Sequence, residues 1–394
     1  MRAFLLVGCV ACSFRIDAVA PGAADAADAA GDIADVAVDA PLIGCFRDLD
    51  ALRFFTCGAR ADGTAWCWGD NQYRQLGDNT TTNRAKPVRV GTMQGVVKVA
   101  TASRMAYALD AQGAVWAWGL NDVGQLGDGT TTDHGDPRVI ASLTNVVDID
   151  AGRGHVCALT GGGETWCWGY NSDQQVGDGQ TGTSRFTPFR AVTSTTRIAV
   201  SARHTCALTT AGAVSCWGDN VKGELGRGVI TNDEPPGQIV GFAAVELAAG
   251  GRHTCARKGD GSVWCWGDNR YGQVGTTASA TPIATPQQVP GVVATELFMG
   301  GRRSCARTAT GDVWCWGETL YGNSGTGQAA VGIDPPQPVA ALAGAGLITV
   351  SAYHVCAIHA DGVLRCIGRN SHGQLGDGTL TPRTSYVDVD LPCP

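Results

Sequence analysis

The sequence predicts an all-β protein, a seven-bladed β-propeller of four-stranded antiparallel blades. Three observations predict it. A Trp-Gly dipeptide or its equivalent ends at Gly69, Gly119, Gly169, Gly218, Gly267, Gly317 and Gly368, in steps of 49 to 51 residues. Each copy holds four short strand-like stretches separated by turn signals, with no helical period. Glycine is abundant at 55 residues while charged residues make up 16%, which suits a turn-rich sheet protein.

Within a copy, an alternating run such as VVKVA from Val96 or VVDID from Val146 predicts the first strand. HVCALT from His155 predicts the second, and after a Gly turn ETWCWG from Glu164 predicts the third. A polar loop such as NDVGQLGDGTTT from Asn121 leads to a fourth stretch such as PVRV from Pro87. Four short strands with such punctuation make one propeller blade.

The residues before the repeats divide in two. Residues 1–17 open MRAFLLVGCVACS, with Arg2 before a short apolar run, as in a secretory signal. Leu6-Val7-Gly8-Cys9 is similar to a bacterial lipobox, so Cys9 is the expected lipidation site, with Cys12 and plain cleavage as alternatives. Residues 18–44 are rich in Ala and Asp, carry no aromatic residue and lie around Pro21 and Pro41, so a solvated tether is expected. Residues 45–394 form the propeller. The expected location is secreted or cell envelope, with a lipid as the only membrane attachment.

The string G-R-x-H-x-C-A-L, a Gly turn, then W-G-x-N-x-x-G-Q-L-G-D-G resembles the repeat of the regulator of chromosome condensation family. The resemblance covers residues 45–394 and implies a seven-bladed propeller. Arg74 and Gln174 replace the loop glycine found at Gly124, Gly223, Gly272, Gly322 and Gly373, and Ile367 replaces the last Trp. The family's named activity, nucleotide exchange on a small GTPase, is implied by resemblance alone. The family also includes secreted propellers that inhibit enzymes.

Twelve of the 16 cysteines form six pairs ten residues apart: Cys57 and Cys67, Cys157 and Cys167, Cys206 and Cys216, Cys255 and Cys265, Cys305 and Cys315, Cys356 and Cys366. Each straddles the turn between the second and third strands, where opposed Cα atoms of a hairpin lie about 4.5–5.5 Å apart, within disulfide range. Blade two has Tyr107 and Ala117 instead, and this joint loss is what a disulfide predicts. A metal would receive only two ligands per blade. Cys45 and Cys393 bracket the repeats and are expected to close the ring by a disulfide, reinforcing strand pairing in a blade shared by the two ends.

The net charge is −7. Arg2 and Arg15 against Asp17, Asp25, Asp28, Asp32, Asp35 and Asp39 leave residues 1–44 at −4 and the propeller near neutral, which excludes a nucleic-acid-coating polycation. His155, His204, His253 and His354 precede the second-strand Cys by two residues and read as structural, bonding to backbone. Arg104, Arg203, Arg252 and Arg302 stand just before that position, with Arg303 beside them, and form an electropositive arc for an acidic partner. The paired Trp residues read as blade packing, and the loops with Asp128, Asp178 and Asp377 as turns rather than calcium loops. No catalytic motif, cofactor or metal site is present in the pattern. The expectation is a monomeric, non-enzymatic scaffold that binds a protein.

Overall fold

The computed structural model describes residues 45–319 and 333–391. Seven four-stranded antiparallel sheets follow one another along the chain, each built from four consecutive strands. Blade one comprises Phe46–Leu52, Phe55–Arg60, Ala65–Gly69 and Arg84–Arg89, and blade seven comprises Ile348–Val350, His354–Ile358, Leu364–Gly368 and Arg383–Asp388. The expected blade shared by the two ends is therefore a misreading: each end completes its own sheet. The propeller itself, and the strand grammar behind it, stand as read.

The second and third strands pair in strict register, placing Cys157 opposite Cys167 and His155 opposite Gly169. That register puts all six hairpin cysteine pairs in disulfides, with Cα atoms 4.1 Å apart, nearer than the expected hairpin spacing. In blade two Tyr107 faces Ala117, and its buried hydroxyl donates to the Gln125 carbonyl at 2.6 Å. A phenol ring fills the space of the missing bridge and makes a bond the bridge could not. Cys45 is also disulfide-bonded, while Cys393 and the lipidation candidate Cys9 lie outside the described residues.

Blades adhere through a repeated set of contacts. The second Trp of each W-C-W-G is fully buried and donates its indole N–H to a loop carbonyl of the preceding blade: Trp118 to Gln75 at 2.8 Å, Trp168 to Gln125 at 2.9 Å, Trp217 to Gln175 at 3.0 Å. A buried indole must find such an acceptor or lose its solvation uncompensated.

The histidines work in the same seams. His155 reaches Thr205, His204 reaches Thr254, His253 reaches Ser304 and His354 reaches Thr56, at 2.7 to 2.9 Å. Each hydroxyl donates onward to a loop carbonyl, Thr205 to Gln175 and Thr254 to Glu224, so Nε2–H must be the donor to it. The histidines are thus structural, each binding a hydroxyl of the next blade, and His354 also bonds the backbone of Arg53. Burial pushes all four down, to about 3 or 4.

The seam between blades seven and one uses the same grammar. Trp68 donates to the Gln374 carbonyl at 3.0 Å and Thr56 does so at 3.1 Å. Phe46, Leu49, Ile358, Leu364 and Leu375 share one buried cluster there, and Lys86 pairs with Asp390 at 2.5 Å. Side-chain packing, not a shared sheet, closes the ring.

Candidate functional site: an arginine-lined channel mouth

Each first strand lines a central channel, and each link to the second strand turns at one end of it. The third-to-fourth-strand loops rise at this same end, because the third strand ends opposite the start of the second. The channel encloses about 870 Å³.

The loop asparagines fix this face. Asn71 accepts from the Leu76 N–H at 3.0 Å and donates to Asp78 at 2.9 Å, and Asn121, Asn171 and Asn370 repeat the pattern. Asp128, Asp178 and Asp377 are occupied by these asparagines, by backbone N–H groups of their own turns and by His134, Arg185 and Arg383. They are turn residues, and among the described residues no group of acids, Cys and His could hold a metal ion.

Three of the five arginines read as an arc, Arg203, Arg252 and Arg302, line one channel, and Arg53, Arg153 and Arg270 line it with them. Arg104 lies beside this wall, its guanidinium 4.4 Å from the Tyr73 ring centre. The guanidinium of Arg153 is lowered by partial burial and then by Arg53, Arg203 and Arg104, so these charges share one field. Arg53 and Arg153 fall one place earlier than the other arginines in their repeats; the string Gly152-Arg153-Gly154-His155 carried that signal.

Arg303 does not belong to the site. It occupies the histidine position of blade six, is 2% exposed and donates to the Glu318 carbonyl at 2.7 and 3.1 Å. Burial lowers its guanidinium to about 10. A charge that deep binds its own protein.

Some rim arginines are held by carboxylates: Arg203 by Asp173 at 3.7 Å, Arg302 by Glu318 at 3.1 Å and Arg270 by Asp268 at 3.0 Å. Deeper in the channel, Asp50 accepts from the Thr101 N–H at 2.6 Å and Asp150 from the Val200 N–H at 2.6 Å. Asp48 accepts from Val99 at 2.8 Å, while Lys98 bonds Asp148. These groups tie the first strands of blades one to four each to the next. Burial raises Asp48 to about 6 and Asp150 to about 7, and raises Asp50 as well.

This ring of blades, with its Trp-Gly seams and arginine-lined mouth, can be compared with known proteins. Residues 146–391 match the RCC1-like domain. The chain belongs to the RCC1-like domain family. Residues 62–109 and 112–159 also match the regulator of chromosome condensation (RCC1) repeat. Among solved structures, this RCC1-like chain is similar to Prp20p of Saccharomyces cerevisiae, at 20% identity over 88% of each chain with a TM-score of 0.72. Human WBSCR16 is similar at 22% identity, over 84% of this chain and 95% of that one, with a TM-score of 0.72. The receptor kinase CR4 ectodomain of Physcomitrella patens follows at 20% identity, over 82% and 74%, with a TM-score of 0.50. These likenesses speak to the fold. No curated protein matches the chain.

Proposed function

We propose that this RCC1-like propeller is a non-enzymatic scaffold, carried outside the reducing cytosol, that receives an acidic surface of a protein partner on its arginine-lined face. The observation that carries the reading is the convergence of arginines from several blades on one channel mouth. An unneutralised field at a concave mouth steers anionic partners and sets their orientation. Six hairpin disulfides suit an oxidising compartment. The lipobox-like Leu6-Val7-Gly8-Cys9 and the Asp-rich residues 18–44 suit a tethered, monomeric envelope protein. Prp20p binds Gsp1p and histones, and a further structure shows Prp20 with Kap60, so relatives of this fold take protein partners. Enzyme inhibition is one form such binding can take. Nucleotide exchange would need a cytosolic chain with free thiols.

The test starts with cell-surface capture of the partner and a titration of the purified pair. Replacing Arg203, Arg252 and Arg302 together with Ala is expected to weaken binding at least tenfold and to flatten its dependence on salt. A folded triple variant that binds as the parent does would overturn the assignment of this face.

A further inference from the structure

The six arginines that line the mouth are not equivalent. Arg203, Arg302 and Arg270 are each held by a carboxylate of a neighbouring loop. Arg53, Arg153 and Arg252, in blades one, three and five, have no ion-pair partner among the described residues. All three line one concave space, where Arg252 also interacts with Glu224 of the preceding blade. Like charges that face one concave space repel, and the repulsion costs the fold free energy. Arg153 is lowered first by burial and then by Arg53, Arg203 and Arg104.

The wall behind them is open. Gly152, Gly251 and Gly301 lie on the channel wall around these arginines and carry no side chains. At Gly152 an added Cβ would fall 1.7 Å from the Ser201 carbonyl oxygen, so the bare wall is a product of blade packing. Ala199 and Ala248 continue it inward on blades four and five. A narrow chain can enter along this side. A chain entering there runs between Arg53, Arg153 and Arg252, which line the same space.

We infer that the mouth takes the inserted tip of an acidic polypeptide, its carboxylates held by Arg53, Arg153 and Arg252 inside the channel entrance. This rests on the reading of the arginine-lined face as the partner site and adds the shape and chemistry of what enters it. Guanidinium groups match carboxylates in geometry as well as charge.

Acetylated hexaglutamate serves as the probe, titrated by calorimetry into the full chain at low salt. The expected result is one-to-one binding that weakens as salt rises. Arg53→Gln with Arg153→Gln is expected to weaken it about tenfold, while Arg138→Gln, which removes a guanidinium on the outer strand of blade two held by Asp136, changes it less than threefold. Unchanged thermal unfolding of each variant establishes that the ring is intact. Failure of the parent chain to bind hexaglutamate, or equal binding by the double variant, overturns the insertion. Binding of tripolyphosphate without hexaglutamate overturns the polypeptide assignment. A captured partner that loses affinity with the Arg203, Arg252 and Arg302 variant but binds the Arg53 and Arg153 variant normally overturns the insertion alone and leaves the face assigned.

Discussion

Glu224 stands where other blades carry a glutamine such as Gln175 or Gln273, and it performs the same task. One carboxyl oxygen accepts the Lys222 N–H at 2.6 Å, as Gln175 accepts that of Asp173 and Gln273 that of Tyr271. Burial, then the nearby Asp219, push Glu224 up to about 8, so at neutral pH it is a protonated stand-in for an amide. A carboxyl raised in the fold stabilises it fully below the unfolded value of 4.5, and that stabilisation is lost as pH rises through about 8. Glu224→Gln should therefore raise the unfolding temperature by a margin that widens from pH 5 to pH 9, reaching about 2–4 °C, the equivalent of about 1 kcal/mol in a mid-sized domain. Thermal scans of both proteins across that range provide the check; a margin that shrinks with pH would refute the role. Arg74 and Gln174 are a second case of imperfect copying. Both adopt the left-handed backbone, φ 64° and 60°, that glycine occupies at Gly124. Non-glycine residues there cost about 1 kcal/mol, and the rest of the loop holds them in place.

At the scale of strands and blades, stability lies in the seams. His204 bridges Ser201 and Thr254 at 2.7 Å on each side and is fully buried. Blade two shows what replaces such a histidine, since Met105 sits in its place. His204→Met should cost about 1–2 kcal/mol at pH 7 through lost hydrogen bonds. The deficit should narrow in acid. His204 is held near 3 in the fold against 6.5 unfolded, so its stabilisation is complete above pH 6.5 and is lost as pH falls from there toward 3. Denaturant melts at pH 7 and pH 4.5 test this, and a deficit that grows in acid would contradict it. The strand grammar and the cysteine staples were legible because a 50-residue period repeats them seven times. The partner of His204 was not, because Thr254 lies fifty residues away and only the ring brings the two together. The difference between Arg302 and Arg252 was equally hidden: Glu318 pairs with the first at 3.1 Å, and only the fold shows that Arg252 has no such ion pair among the described residues. Arg303 misled because proximity in sequence to an exposed arginine says nothing about which side of a strand it takes.

The propeller is a ring whose ends meet without exchanging a strand. Seven seams hold it, and the one between blades seven and one joins residues that the chain does not connect. A bridge from Cys45 to Cys393 would enclose roughly 350 residues, and the loop-entropy expression gives it about 5–6 kcal/mol, against about 2–3 kcal/mol for a hairpin staple. Cys45→Ser with Cys393→Ser is thus expected to lower the unfolding temperature more than Cys255→Ser with Cys265→Ser. An equal or smaller loss would show that packing of Phe46, Leu49 and Ile358 suffices at the seam. The self-contained blades carry a further consequence. Because every sheet is spelled by one uninterrupted stretch of chain, the order in which the blades are written is incidental to the sheets they form. A gene opened at the link between blades four and five, with its former ends joined by a short linker, would encode the same seven sheets in rotated order. In this sense the protein is a circular text, and the position of its first letter is a matter of history more than of physics.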